Sequence, residues 1–111
     1  MEHIDAVRIA KNALEDKKAI DIKILDLRKL SSVAEFFVIA SGNNINQLKA
    51  MGDNVEAELG KNGVIMHHSE GHRGGEWVLL DFNGMVVHLF LKEQREFYDL
   101  DRIWADAEII E

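Results

Sequence analysis

Hydrophobic and polar positions keep two different rhythms along this chain. In residues 3–17, Ile4, Val7, Ala10 or Lys11, and Leu14 recur at i, i+3 and i+4, with Ala6, Ile9 and Ala13 widening the stripe. That spacing predicts an amphipathic helix, with Arg8, Asp16 and Lys17 largely off its apolar face. Residues 19–27 alternate instead, with Ile20, Ile22 and Ile24 on one side and Lys23, Leu25 and Leu27 on the other. Alternation predicts a strand. Asp26, near its end, is more often a cap or turn residue than a catalytic acid. Residues 28–35 read as a loop holding a short helical turn, capped by Ser31 or Ser32 with Glu35 in its first turn. Phe36 to Ala40 is an unbroken apolar run of strand length, the mark of a central strand. Ser41-Gly42-Asn43-Asn44 then opens a helix over residues 45–60, with Leu48, Met51 (or Gly52), Val55 and Leu59 as its stripe. Asn43 or Asn44 serves as its N-cap, and Gly60 or Gly63 ends it. Residues 64–70 read as a third strand, followed by a loop over residues 71–75.

The strongest local signal comes next. Asn83-Gly84 stands between two apolar runs, and both central residues of a type I′ turn need positive φ. With these two at the turn, Phe82 pairs with Met85. The ladder runs back through Asp81–Val86, Leu80–Val87, Leu79–His88, Val78–Leu89 and Trp77–Phe90. Cross-strand partners share a face. One face carries Val78, Leu80, Phe82, Met85, Val87 and Leu89, all apolar, and must be core. The other carries Trp77, Leu79, Asp81, Val86, His88 and Phe90. That mixed face admits two readings, a second packing layer or a binding surface.

Residues 93–105 read as a turn and a last helix anchored by Tyr98, Leu100 and Trp104, with Asp99 as a candidate N-cap. Early alternation of helix and strand, followed by a late hairpin, predicts an α/β fold with a mixed sheet flanked by helices. At 111 residues the chain is expected to be one domain, residues 1–111.

Composition narrows the function. The chain is 47% hydrophobic, too apolar for disorder. It has no cysteine, hence no disulfide and no thiolate chemistry. No run of about 18 apolar residues is present to span a membrane. The first residues lack a signal-peptide core, and a cytoplasmic protein is expected. The net charge is −7, and residues 93–111 carry seven acids against Arg95 and Arg102. Without a basic stripe there is little to hold a phosphate backbone, so direct nucleic-acid contact should be slight. An acidic surface favours a basic protein partner.

Catalytic signatures are sparse. His67, His68, Glu70, His72 and His88 invite a metal, but adjacent His67 and His68 point to opposite sides of a strand. Only His68, Glu70 and His72 share a side, and no HExxH is present. A histidine-bearing edge strand is the simpler reading, and no metal, cofactor or catalytic residue is assigned. A small nucleotidyltransferase is the enzymatic alternative. Ser41-Gly42 faintly offers its phosphate-gripping turn, also a place where an anion could meet a helix N-terminus. The paired acids that hold its two metals are missing: Asp81 stands in Asp81-Phe82-Asn83, and no strand carries D-x-D or D-x-E. No GxSxG elbow exists either.

Several segments, taken in order, resemble the ribosomal silencing factor (Iojap-like) family over nearly the whole chain. They are Leu25-Asp26-Leu27, Phe36-Phe37-Val38-Ile39, Ser41-Gly42-Asn43, then Gln47 and Ala50. After them come Glu70-Gly71, Trp77-Val78-Leu79-Leu80-Asp81, Val87-His88-Leu89-Phe90, and Arg95 through Asp106. The family often has a proline after the Val-His-x-Phe strand, where Leu91-Lys92-Glu93 stands here. The resemblance implies a nucleotidyltransferase-like topology without catalytic acids, and a binding protein rather than an enzyme. It implies docking on the intersubunit face of the large ribosomal subunit, through its basic ribosomal protein number fourteen. Blocked joining of the small subunit would then repress translation when nutrients are limiting. It also implies a homodimer when free. Trp77, Asp81, His88, Arg95, Tyr98 and Trp104 are the residues expected to form or support the docking surface.

Overall fold

A computed structural model describes residues 3–32, 34–72, 75–98 and 105–110. Helix α1 spans His3–Asp16 and is followed by strands β1 (Ile20–Asp26) and β2 (Phe36–Gly42), then helix α2 (Ile45–Lys61). Strands β3 (His68–His72), β4 (Trp77–Asp81) and β5 (Met85–Leu91) follow, then the short helix α3 (Lys92–Tyr98) and strand β6 (Glu108–Ile110). The six strands form one mixed sheet in the order β3-β4-β5-β2-β1-β6. Among the described strands, β2 and β5 run parallel and the other neighbouring pairs are antiparallel.

The apolar stripes meet on one side of this sheet. Ala6, Val7, Ala10, Ala13 and Leu14 of α1 and Leu48, Met51, Val55 and Leu59 of α2 are buried against Ile24, Phe36, Val38, Ala40, Leu80, Phe82, Met85, Val87 and Leu89. Each large side chain so buried contributes roughly 1.5–3 kcal/mol before chain entropy is subtracted. The Asn54 amide, donating to the Ala13 carbonyl at 2.8 Å, ties the two helices together.

Both ends of α2 are held by local bonds. The Asn44 side chain accepts from the Gln47 N–H, and the Gln47 side chain accepts from the Asn43 N–H at 2.7 Å. The first bond satisfies an orphan donor at the helix start, and the second anchors the residue before the cap. The Gln47 amide also donates to the Lys17 and Lys18 carbonyls, fastening the α1–β1 turn, where Lys18 has φ 60°. At the far end, the Gly63 N–H reaches the Gly60 carbonyl and the Val64 N–H reaches that of Leu59. Gly63 takes the left-handed conformation (φ 79°) that this closure requires.

Gly42, at the end of β2, is spatially constrained. A Cβ there would lie 3.0 Å from Leu48 Cδ2 and 3.2 Å from Met51 Sδ. Gly42→Ala should therefore overpack the β2–α2 junction and cost about 1–2 kcal/mol, read as a lower denaturant midpoint at unchanged slope. An unchanged midpoint would show that the junction has slack.

The hairpin follows the expected ladder at every pair from Asp81–Val86 to Trp77–Phe90. Asn83 and Gly84 have φ of 60° and 110°, and the Phe82 N–H closes on the Met85 carbonyl at 2.9 Å. Four expectations need correction. The described part of the 28–35 loop holds no helical turn capped by Ser31 or Ser32. Its turn lies at residues 28–30, where the Leu27 carbonyl accepts from Leu30 and Ser31. Glu35 is instead drawn to the hairpin, its N–H on the Gly84 carbonyl at 2.7 Å and its carboxylate on the His3 ring. The third strand begins at His68 rather than Val64, because Val64 is first occupied in closing α2. β1 does not alternate throughout: Asp21 has φ 50°, and the register with β2 shifts between Ile20 and Lys23. Finally, α3, described over Lys92–Tyr98, starts directly after β5 with no intervening turn, and a further strand, β6, pairs with Ile24, Leu25 and Asp26. Leu100, Trp104 and the Asp99 cap lie outside the described residues.

Candidate functional site

The sheet's second side is where the sequence placed its mixed face. There Leu25, Leu27, Ala34, Ile39, Phe90 and Ala107 are buried, with Phe37, Trp77 and Val86 half-buried beside them. His88 sits among them at 4% exposure. β-Pairing brings them together: Trp77 stands opposite Phe90 across the hairpin, and Ile39 stands beside His88 across the parallel β2–β5 pair.

The aromatic rings form one continuous group. Trp77 stacks on Phe90 with centroids 5.1 Å apart, and Phe37 meets His88 edge-on at 4.6 Å. The Trp77 indole N–H donates to His88 Nδ1 at 3.2 Å. Nδ1 is therefore an acceptor, and the ring's own proton belongs on Nε2. Nε2 is buried without a hydrogen-bond partner among the described residues. Burial pushes the His88 pKa down to about 4, so the imidazole is neutral at physiological pH. His88 thus lies beneath the surface and orients Trp77, whose amphipathic ring is half-buried on this face together with that of Phe37.

The other expected site residues divide. Asp81 accepts from the Asn83 N–H at 2.8 Å and so braces the hairpin turn. Arg95, from α3, donates to the carbonyl of Asp21 and to the Ser41 hydroxyl, the latter at 3.1 Å. It clamps the bulged start of β1 and the buried Ser41 at the end of the same side. Tyr98 is the last described residue of α3, and its side chain lies outside the described residues, as does the whole of Trp104. Phe37 belongs to the aromatic group and was not singled out beforehand. The only hint was the double-sided run Phe36-Phe37, which sends one ring to each face of a central strand.

Candidate chemistry elsewhere is thin. Asp26 has the turn role, accepting from the Arg28 backbone at 3.1 Å and from its guanidinium at 2.7 and 3.0 Å. That Arg28 hydrogen bond holds the Asp26 carboxyl below its usual range. His68 and Glu70 share a side as expected and pair at 3.1 Å on the surface. No group of three His, Asp or Glu side chains among the described residues is placed to hold a metal ion. The Ser41-Gly42-Asn43 turn is occupied by its own chain, through Arg95 and Gln47. A cavity of about 630 Å³ opens beside Arg95, and among the described residues Asp21 is the one carboxylate in its lining, next to Lys11 and Lys23. No helix among the described residues is long and apolar enough to cross a membrane.

Comparison with known proteins agrees with this geometry. A family described as "Ribosomal silencing factor during starvation" matches residues 1–111. The ribosomal silencing factor RsfS of Bacillus subtilis is 36% identical over 107 residues, covering 96% of this chain and 91% of the relative. A crystal structure of a Chromobacterium violaceum protein superposes with a TM-score of 0.91 at 40% identity, over 95% of this chain and 88% of that one. A Bacillus halodurans structure gives 0.84 at 31% identity, over 96% and 97%. With the family model matching residues 1–111 and relatives aligned over almost all of it, the chain belongs to the ribosomal silencing factor family.

Proposed function

We propose that this protein is a steric regulator of translation and not an enzyme. It docks in the cytoplasm on the intersubunit face of the large ribosomal subunit, through the basic ribosomal protein number fourteen. There it blocks joining of the small subunit when nutrients are limiting. The full-length family match carries the reading. The acidic charge supports it, since −7 overall favours a basic protein over a phosphate backbone. Steric exclusion needs a rigid body and a tight grip rather than a reaction centre. A standard interface of about 800 Å² per partner lies within reach of a domain this size.

In this reading Trp77 is the contact, and half-buried Trp is a frequent interface anchor. His88 holds the indole from below, Asp81 shapes the adjacent turn, and Arg95 fixes α3. Tyr98 and Trp104 join the proposed docking residues through the family-like stretch from Arg95 to Asp106. The free protein is a homodimer. Gradient sedimentation of purified large subunits with this protein, followed by small subunits, tests the function: joining should fall as the protein is added. Undiminished joining, or turnover of a nucleotide, refutes it. Trp77→Ala should weaken large-subunit binding at least tenfold while circular dichroism shows a folded chain. Trp77→Phe, which keeps the stack on Phe90, should lose less. Normal binding by the alanine variant would move the docking site elsewhere.

A further inference from the structure

β6 covers only part of β1, and a cavity opens where that cover stops. β6 pairs with Ile24, Leu25 and Asp26, so the earlier stretch of β1 has no described strand on its outer edge. That stretch is also irregular: Asp21 has φ 50°, and the register with β2 shifts between Ile20 and Lys23. In a regular strand covered on both edges, neighbouring residues serve opposite faces. Here the four consecutive residues from Asp21 to Ile24 all line one cavity of about 630 Å³. Bulges are frequent beside binding sites because they re-aim side chains in this way. The volume lies in the range of small-ligand sites, about 300–1,000 Å³.

The lining has two chemical halves. Lys11 of α1 and Arg95 of α3 join Lys23, and Asp21 is the one carboxylate among the described lining residues. Three cations less one carboxylate leave a local charge of +2, in a chain whose net charge is −7. All three basic residues are half-buried. Lys11 makes no hydrogen bond or ion pair among the described residues. Arg95 is fixed in the wall by the Asp21 carbonyl and the Ser41 hydroxyl, so its guanidinium is in place before any ligand arrives. The other half is apolar. Ile22 and Ile110 pack on the helix-side core, and Ile109 keeps 57% of its surface exposed.

We propose that this cavity binds a small phosphomonoester that carries an apolar group. A phosphomonoester has a charge of about −1.5 to −2 at pH 7 and three strong acceptor oxygens. It therefore matches both the local surplus of charge and the three basic side chains, whereas a carboxylate would offset only half of that surplus. The apolar group lies on Ile22, Ile109 and Ile110. The site includes Arg95 but not Trp77, Asp81 or His88, and its test needs no ribosome, so it fails or holds separately from the docking reading.

The test is calorimetric titration of the full chain with phenyl phosphate, inorganic phosphate and benzoate. Inorganic phosphate has the charge without the apolar group, and benzoate has the ring with a single charge. Phenyl phosphate should bind saturably in the millimolar range or below, at least tenfold more tightly than either of the others. Its amide chemical-shift changes should concentrate around Lys11, from Asp21 to Ile24, and at Ile109 and Ile110. Lys11→Gln and Lys23→Gln should each weaken phenyl phosphate at least fivefold at unchanged melting temperature. Asp21→Asn should tighten it at least twofold, because asparagine tolerates the positive φ of this position and removes the opposing charge. A merely structural role for these side chains would not produce effects of opposite sign. Absence of saturable binding, equal affinity for inorganic phosphate or benzoate, shifts centred elsewhere, or lysine variants that bind like the parent overturns the proposal. An Asp21→Asn chain that binds no more tightly than the parent overturns it as well.

Discussion

Phe36→Ala should cost the fold about 3–5 kcal/mol, the range for removing a large aromatic from a packed core. The side chain is 1% exposed and lies in the helix-facing core. Its strand is central: Phe36 sits beside Met85 on one side and Asp26 on the other. Its N–H is bonded to the Gly84 carbonyl at 3.1 Å, and the Arg28 guanidinium lies 5.1 Å from the ring centroid. With both neighbouring strands fixed, the backbone has little freedom to collapse into the void, which places the cost toward the upper part of the range. A domain of this size has about 5–15 kcal/mol of stability in total, so one such change removes a large share. Denaturant titration should show the midpoint falling sharply. Phe36→Leu, which leaves most of the apolar volume, should lose less than half as much. An alanine variant within 1 kcal/mol of the parent would mean that the two helices do not pack on this strand as described.

The reason Phe36 could be chosen lies partly in local sequence and partly outside it. Phe36 to Ala40 was legible as a buried central strand because an unbroken apolar run has no side for water. The hairpin was legible to the residue, since Asn83-Gly84 can satisfy its backbone in only one register without exposing the Val78 face. The stripes of α1 and α2 were equally readable. What failed was set by contacts remote in the chain. Glu35 looks like a first-turn helix residue until Gly84 supplies a carbonyl for its N–H. β6 is three residues long, and nothing in Glu108-Ile109-Ile110 marks it as a strand until β1 offers an edge.

The second face shows the same division. Cross-strand logic within the hairpin put Trp77, His88 and Phe90 together, but not Phe37. Phe37 reaches His88 only because β2 pairs in parallel with β5, a contact spanning about fifty positions that no local pattern encodes. The mixed face had been open to two readings, packing layer or binding surface, and its burial bears out the packing one. Leu25, Leu27, Ile39 and Phe90 are core, His88 is a polar group sealed within it, and Trp77 carries the layer out toward solvent. Arg95 illustrates the limit of motif reasoning. Its place in the family-like stretch says that it matters, but its bonds to Asp21 and Ser41 show it working as a clamp.

Acid should unfold this protein through His88 before most carboxylates titrate. In the native state the ring is buried against Phe37, Trp77 and Phe90, and its pKa falls from 6.5 to about 4. Protonating Nδ1 would also set two donors face to face, since the Trp77 indole N–H already points at that nitrogen. The unfolded chain takes up the proton near pH 6.5 and the folded chain does not, so stability is complete above that pH and declines as pH falls toward 4. The difference amounts to about 2 kcal/mol by pH 5 and about 3 kcal/mol by pH 4. The paired Asp26 carboxyl behaves in the same direction but at lower pH, because Arg28 holds it below the ordinary carboxylate range and its contribution is lost only as pH drops through that depressed value. Urea titrations at half-unit intervals from pH 7 to 4 should therefore trace a loss that His88→Leu lacks. That variant keeps the other four histidines, so the gap between the two curves belongs to position 88. Parallel curves would place the imidazole in water, and with it the whole account of how Trp77 is held.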